Sequence, residues 1–319
     1  LQESDEIVDM KPKLSDFREE AVLGLLSVPK NISPKFFYDE EGSRIFDEIT
    51  QLPEYYLTRA ELEILETRRN DIGRAIGEDA TVVELGSGNG KKGLMLLKGF
   101  IRPRELIFVD ISIEALRNAV KLVHTYFPYI AVKGICADYT STDVMGQMNI
   151  PGRKGIVFLG STIGNMEPEE AKGFISGCRK LLSEGETLTI GVDLKKDKET
   201  LERAYNDSKG VTARFNLNLI SRINRELGAG IPGDAFVHRA FYNESKGRIE
   251  MHLQTTKKQT FYIAGNKINF EKGETIHTEN SYKYSIDEFS GMLRDSGFNQ
   301  IEFWQDSEQR YALFTAAVR

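Results

Sequence analysis

Between Thr81 and Leu194 the chain alternates short apolar runs with segments of helical period, a rhythm that few folds accommodate. The runs are TVVEL (81–85), ELIFVD (105–110), YIAVKGIC (129–136), GIVFLG (155–160) and TLTIGVDL (187–194). Among the segments between them, ISIEALRNAVKLVHTYF and EPEEAKGFISGCRKLLSEG place apolar residues at helix spacing. Strands alternating with helices imply βαβ units, right-handed crossovers and a mainly parallel sheet that binds ligands at its carboxyl edge. SIDEFSGMLRDSGF extends the pattern as a helix opened by a Ser285–Glu288 capping box, followed by the strands NQIEFWQD and RYALFTAAV.

Two blocks fall outside this rhythm. Residues 1–79 read as helices (LSDFREEAVLGLL, EEGSRIFDEITQL, RAELEILETRRNDIGRAI) broken by proline-bearing segments around Pro29–Pro34 and Pro53. Residues 197–284 begin as a long helical stretch and then become the strands DAFVHRAFYN, RIEMHLQTT and QTFYIA. The expected division is an α/β, Rossmann-like domain of residues 57–196 and 285–319. Residues 1–56 and 197–284 would form a second, α+β domain capping its cleft.

Composition excludes several classes. The net charge of −6, without strong segregation, argues against a protein built to hold nucleic-acid phosphates. Cys136 and Cys178 stand in unrelated contexts, so neither a disulfide framework nor a C-x-x-C pair is expected. His124, His238, His252 and His277 lack the paired spacing of a zinc site, and no metal is expected. No apolar run reaches membrane-spanning length, and the start shows no charged-then-apolar leader pattern. Leu1 stands where an initiator Met would, which reads as a processed or trimmed start. The chain reads as a cytoplasmic monomer that takes a small-molecule partner.

The loop after the first run narrows the ligand. Glu84, Gly86, Ser87 and Gly88 lie in ELGSGNGKKG, where a strand turns into a helix whose first N–H groups are free. A dinucleotide cradle reads G-x-G-x-x-G, whereas this loop reads E-x-G-x-G-x-G. The acid disfavours a diphosphate and suits a cationic ligand such as S-adenosylmethionine. Lys92 would reach the ligand carboxylate or stand solvated on the first helical turn. Asp110, at the end of the second strand, suits ribose hydroxyls or a helix cap. Asp138 and Tyr139 would hold an adenine, or form a plain loop.

Asn165 closes the fourth strand's GSTIGN segment, where acceptor and donors together suit an amine and a carboxylate, or an N-cap. The absence of a D/N-P-P-Y motif speaks against a nucleobase amine. Tyr38, Tyr55, Tyr56 and Tyr205 lie outside the strand-helix rhythm, as core packing or as groups that orient an amine.

Taken together, PKFFYDEEGSRIFDEIT, LPEYYLTRAE, VVELGSGNGKK, VFLGSTIGN, AYND, GVTARFN, RIEM and TENSYKYS span nearly the whole chain. In these motifs it resembles the histidine-specific Nα-methyltransferases of ergothioneine biosynthesis, which make hercynine. The resemblance implies a class I methyltransferase domain, S-adenosylmethionine as donor and histidine as substrate. It implies that Tyr38 contacts the α-amino group, while Tyr55, Asn165 and Tyr205 hold amine and carboxylate. Glu279 and Ser281 would bond the imidazole nitrogens, with Met251 lining the ring pocket. Asn280 and Tyr282, flanking those contacts, and Asn-Gly-Lys-Lys after Gly88 depart from the family pattern. The alternative substrate is another amino acid or an indole amine such as a tryptophan derivative.

Overall fold

All five residues of TVVEL are buried, as a strand paired on both edges and covered on both faces must be. The computed structural model describes residues 7–12, 16–140, 146, 148, 150 and 152–318. In chain order its first half contains β1 (Ile7–Asp9), α1 (Phe17–Leu26), β2 (Lys30–Asn31), α2 (Glu40–Ile49), α3 (Tyr56–Ile76), β3 (Thr81–Leu85), α4 (Lys91–Leu97), β4 (Glu105–Asp110), α5 (Ile113–Tyr126) and β5 (Val132–Cys136). There follow β6 (Lys154–Phe158), α6 (Pro168–Leu181), β7 (Thr187–Asp193), α7 (Lys198–Tyr205), α8 (Val211–Leu227), β8 (Phe236–Asn243) and β9 (Arg248–Thr255). The remainder is β10 (Gln259–Ile263), β11 (Asn266–Phe270), β12 (Thr275–Tyr282), α9 (Ile286–Asp295), β13 (Gln300–Gln305) and β14 (Tyr311–Ala317). Short 3₁₀ turns occupy Pro34–Phe37 and Thr162–Asn165.

The chain divides into two compact units, one of Leu1–Leu14, Leu57–Leu194 and Tyr284–Arg319, the other of Ser15–Tyr56 and Lys195–Lys283. The first is built on an eight-stranded sheet in the order β1-β5-β4-β3-β6-β7-β14-β13. Its strands run parallel except β14, which is antiparallel to both β7 and β13. Strand order reverses at β3, so the loops after β3 and β6 open at the switch point, where such sheets bind ligands. Helix α5 covers this sheet with Leu116, Ala119, Val120 and Val123, a stripe of helical period. The Ser285–Glu288 capping box opens α9 as its sequence requires.

Residues 1–56 do not all belong with the insertion. Ile7–Asp9 pairs in parallel with Gly134–Cys136 and forms the edge of the eight-stranded sheet. Three residues are too few to show a period of two, so nothing local announces this strand. Leu14 and Ser15, which begin the expected first helix, lie outside the described residues.

The second unit packs α1, α2, α7 and α8 with a four-stranded sheet in the order β2-β12-β9-β8 and a β10–β11 hairpin. Helix α8 buries Val211, Phe215, Leu219, Ile220 and Ile223 against α2, β8 and β9. Register between β12 and β9 shifts at Thr278: His277 faces His252, and Glu279 faces Met251. The extra residue is buried, and its single hydroxyl proton is shared between Asn216 Oδ1 at 2.9 Å and the Met251 carbonyl at 3.0 Å. Such a bulge re-aims the side chains next to it.

Candidate active site

In the first unit, the loop after β3 is folded around its own acid. Glu84 is 2% exposed, and burial pushes its carboxyl up to about 8 against the pull of Lys92 and the Gly93 amide. A Cβ at position 93 would collide with Glu84 Oε2 and stand 2.8 Å from the Phe108 ring, so glycine lets both lie against α4. Gly90 precedes α4 at φ +71°, and a Cβ on it would stand 2.7 Å from Ala119 Cβ. Glu84 Oε2 and the Ser87 hydroxyl are both buried without a hydrogen-bond partner among the described residues.

Asp110 does not cap α5, because Ser112 does, its hydroxyl accepting from the Ala115 amide at 3.2 Å. The Asp110 carboxylate instead accepts from the Gly88 amide at 3.1 Å and the Ser112 amide at 3.0 Å, bridging two strand-end loops. Burial raises its pKa. Asp138 accepts from the Thr140 amide at 2.9 Å and hydroxyl at 2.6 Å in a tight turn. Tyr139 sets its ring edge-on to Phe158, 5.7 Å away, and its hydroxyl would be 3.2 Å from a Cβ on Gly86. Loop and aromatic wall are therefore brought together.

Lys92 is partly exposed but paired. Its Nζ lies 2.6 Å from Oε2 of Glu61, a carboxylate of α3 that is 1% exposed. Glu61 Oε1 accepts from the Gly160 amide at 2.7 Å and the Tyr311 hydroxyl at 2.6 Å. Ser161, the next residue, is buried at φ +55°, and its hydroxyl accepts from the Asp193 amide at 2.9 Å. Backbone strain of this kind in a non-glycine residue collects at functional sites. Asn165 ends the following 3₁₀ turn, and it is not the N-cap of α6. Glu167 and Glu170 form that helix's capping box. The half-buried Asn165 amide makes no hydrogen bond to another described residue.

In the second unit, Tyr38 is 46% exposed with its ring edge-on to Phe46 and Phe215, 5.5 and 5.7 Å away. Tyr55 is buried between Phe46 and Tyr205, at 6.2 and 6.3 Å. One face of β12 carries Glu279 and Ser281, with Met251 and Ile249 opposite them on β9. Burial raises the Glu279 carboxyl to about 7 against the attraction of Lys283, and it has no hydrogen bond or ion pair among the described residues. Ser281 Oγ accepts from the Tyr205 hydroxyl at 2.8 Å and from Lys283 Nζ at 2.7 Å.

The other face of the same strands carries Arg248, Glu250, His252, His277 and Tyr282. Against the pull of burial, Arg248, His252 and Asn243 hold the Glu250 carboxyl down at about 2. Glu250, His252 and His277 bring one ligand atom each within 4.8 Å of one another. The two imidazoles stack 4.6 Å apart at 13°, so their in-plane lone pairs run side by side and do not converge on one point. Arg248 already occupies Glu250 Oε1. The cluster is thus an ion pair beside a ring stack.

Residues 17–318 match a family model described as histidine-specific methyltransferase, SAM-dependent. The chain belongs to this family.

A histidine N-alpha-methyltransferase of Mycolicibacterium smegmatis is 40% identical over 308 residues, covering 95% of this chain and 94% of that protein. Ergothioneine biosynthesis protein 1 of Neurospora crassa is 31% identical over 284 residues, which are 86% of this chain and 32% of that longer protein. A solved structure described as a possible exported protein from Bordetella parapertussis shares the fold at 13% identity and a TM-score of 0.52, over 92% of this chain and 81% of its own.

As a histidine-specific methyltransferase the chain is an enzyme with S-adenosylmethionine as donor, on an α/β class I methyltransferase fold. Its first unit fits that donor: Glu84 Oε2 and Ser87 Oγ, buried with no hydrogen-bond partner among the described residues, and the bridging Asp110 are polar groups suited to a cationic nucleoside. Glu61 and Lys283 were not singled out in the sequence. Glu61 sits in a helix crowded with charged residues, and Lys283 ends a polar run. What distinguishes both is near-complete burial of an ionisable side chain, each 1% exposed.

Proposed function

We propose that the protein methylates the α-amino nitrogen of L-histidine three times, forming hercynine for ergothioneine biosynthesis. The relatives' names support the chemistry, and one observation carries the choice of ring. The Glu279 carboxylate, with no hydrogen bond or ion pair among the described residues, and the Ser281 hydroxyl share a strand face opposite Met251 and Ile249. An imidazole has two nitrogens to satisfy, and leaving one unpaired in a buried site costs about 1–3 kcal/mol. An indole offers one donor and no acceptor, which leaves Ser281 without a ring partner.

In this reading the first unit binds the donor and the second binds histidine. Glu84, Gly86, Ser87, Gly88, Lys92, Asp110, Asp138 and Tyr139 form the donor site, with Lys92 acting through Glu61. When bound, S-adenosylmethionine supplies an activated methyl group on a sulfonium. Attack would require a neutral amine: before each transfer a proton leaves the nitrogen for solvent, and its lone pair would then form the N–C bond as the methyl C–S bond breaks and S-adenosylhomocysteine leaves. Tyr38 orients that amine, and Asn165 and Tyr55 hold amine and carboxylate. Tyr205 directs its proton to Ser281, which moves its part toward the ring end of the substrate. Orientation is the main catalytic contribution of these side chains, because the leaving group is already activated.

The test is direct. Purified protein with L-histidine and methyl-labelled S-adenosylmethionine is expected to yield mono-, di- and trimethylhistidine by mass spectrometry. Donor binding without any labelled histidine overturns the assignment, and faster labelling of tryptophan or tyrosine moves it to another amino acid.

A further inference from the structure

The hydroxyl of Ser281 has both lone pairs taken. Tyr205 Oη donates to it at 2.8 Å and Lys283 Nζ at 2.7 Å, and all three side chains are buried. Lys283 also donates to Tyr205 Oη at 3.2 Å, which leaves the phenol proton for Ser281. The same ammonium lies 5.0 Å from the centroid of the Tyr205 ring. A serine hydroxyl carries two acceptor lone pairs and one proton. The bond left for Ser281 is therefore one that it donates, and no described residue receives it. Glu279, two residues earlier on the same face, is its opposite: ionised it can only accept, and a ring N–H bonded to it favours that ionised form, drawing its pKa down from about 7.

We propose that Lys283 is a positioning residue which, with Tyr205, holds Ser281 as a hydrogen-bond donor. The Glu279–Ser281 pair then selects the neutral imidazole of histidine in a single tautomer. This rests on the reading of function given above. The ring N–H bonds to Glu279, and the bare ring nitrogen receives the Ser281 proton. An imidazolium carries a second N–H, which would meet a hydroxyl with no lone pair to offer and an ammonium behind it. Like charge and an unmet donor both count against it. A pyrrole, indole or phenyl ring has no nitrogen lone pair in the ring plane, so it leaves the Ser281 proton unspent.

The experiment uses wild-type protein, S-adenosylhomocysteine and L-histidine labelled with ¹⁵N in the ring, at about pH 6, below the ordinary imidazole pKa of about 6.5. Free histidine is then mostly imidazolium. The bound ring is expected to show one protonated and one bare nitrogen. Two protonated nitrogens overturn the proposal while leaving histidine as the substrate. Ring resonances that do not move on adding protein overturn the functional reading itself.

Lys283→Met keeps the stem and removes the donor. Its bound ring is expected to become protonated at both nitrogens at the same pH, with KM for histidine raised about tenfold and kcat changed far less. A ring still locked in one neutral tautomer in this variant overturns the role of Lys283. Should Lys283→Met not fold, Tyr205→Phe returns one lone pair to Ser281 and is expected to give the same spectroscopic change.

Discussion

Lys92 and Glu61 join the first turn of α4 to α3 through an ion pair of 2.6 Å, and the other Glu61 oxygen holds the amide of Gly160. A single buried carboxylate thus ties the loop after β3 to the loop after β6, the two loops that open at the switch point of the sheet.

The two partners of that pair are not equivalent. Lys92 is 28% exposed and can turn to water, whereas Glu61 is 1% exposed and cannot. Lys92→Met, which strands a buried charge, is expected to cost about 3 kcal/mol of unfolding free energy. Glu61→Gln keeps an acceptor for Gly160 and is expected to cost about 1 kcal/mol. Urea unfolding of the two variants measures the difference, and equal losses would mean that Glu61 does not depend on Lys92.

Ser161 separates backbone strain from hydrogen bonding. Ser161→Ala and Ser161→Gly both lose the bond to the Asp193 amide, but only glycine is at ease at φ +55°. The glycine variant is expected to be more stable than the alanine variant by about 1 kcal/mol. Thermal melts of the pair decide it, and an alanine variant that melts no earlier would show that the turn relaxes.

Glu84 gives stability an unusual slope with pH. Its folded pKa of about 8 lies above the ordinary 4.5, so the folded state holds a proton that the unfolded chain has released. That contribution is complete below about 4.5 and is lost as pH rises through 8. Glu279, raised to about 7, works in the same direction over a narrower window. The wild-type melting temperature is therefore expected to fall from pH 5 to pH 8 by more than that of Glu84→Gln. S-adenosylmethionine should flatten the wild-type slope, because a cation beside Glu84 favours its ionised form. Parallel slopes for wild type and variant would locate the titration elsewhere.

Glu279→Ala removes the acceptor proposed for the imidazole N–H. Histidine is expected to lose about a hundredfold in kcat/KM, while tryptophan, if turned over at all, loses much less. Competition between the two amino acids in one reaction reads that ratio directly.

The βα rhythm and the capping box at Ser285 made the sheet readable, because burial on both faces forces continuous apolar runs. The glycine loop was readable because backbone at positive φ demands glycine. Local pattern could not distinguish a cap from a ligand group at Asp110 or Asn165. The structure removes the cap reading at both, because Ser112 and Glu167 take the capping positions. Glu61, Lys283 and the bulge at Thr278 escaped for a shared reason: each is defined by what it meets across 99, 78 and 62 residues of chain, respectively. Spacing within one segment carries no trace of such meetings.

The three-residue strand Ile7–Asp9 covers the backbone edge of β5, the strand that leads into Asp138 and Tyr139. An uncovered edge is a template on which another chain can add a strand. Shortening the chain past Met10 would therefore do more than trim a tail. It would turn the flank of the donor-binding sheet into an adhesive surface, and self-association would set in beside the site without any change to the residues within it.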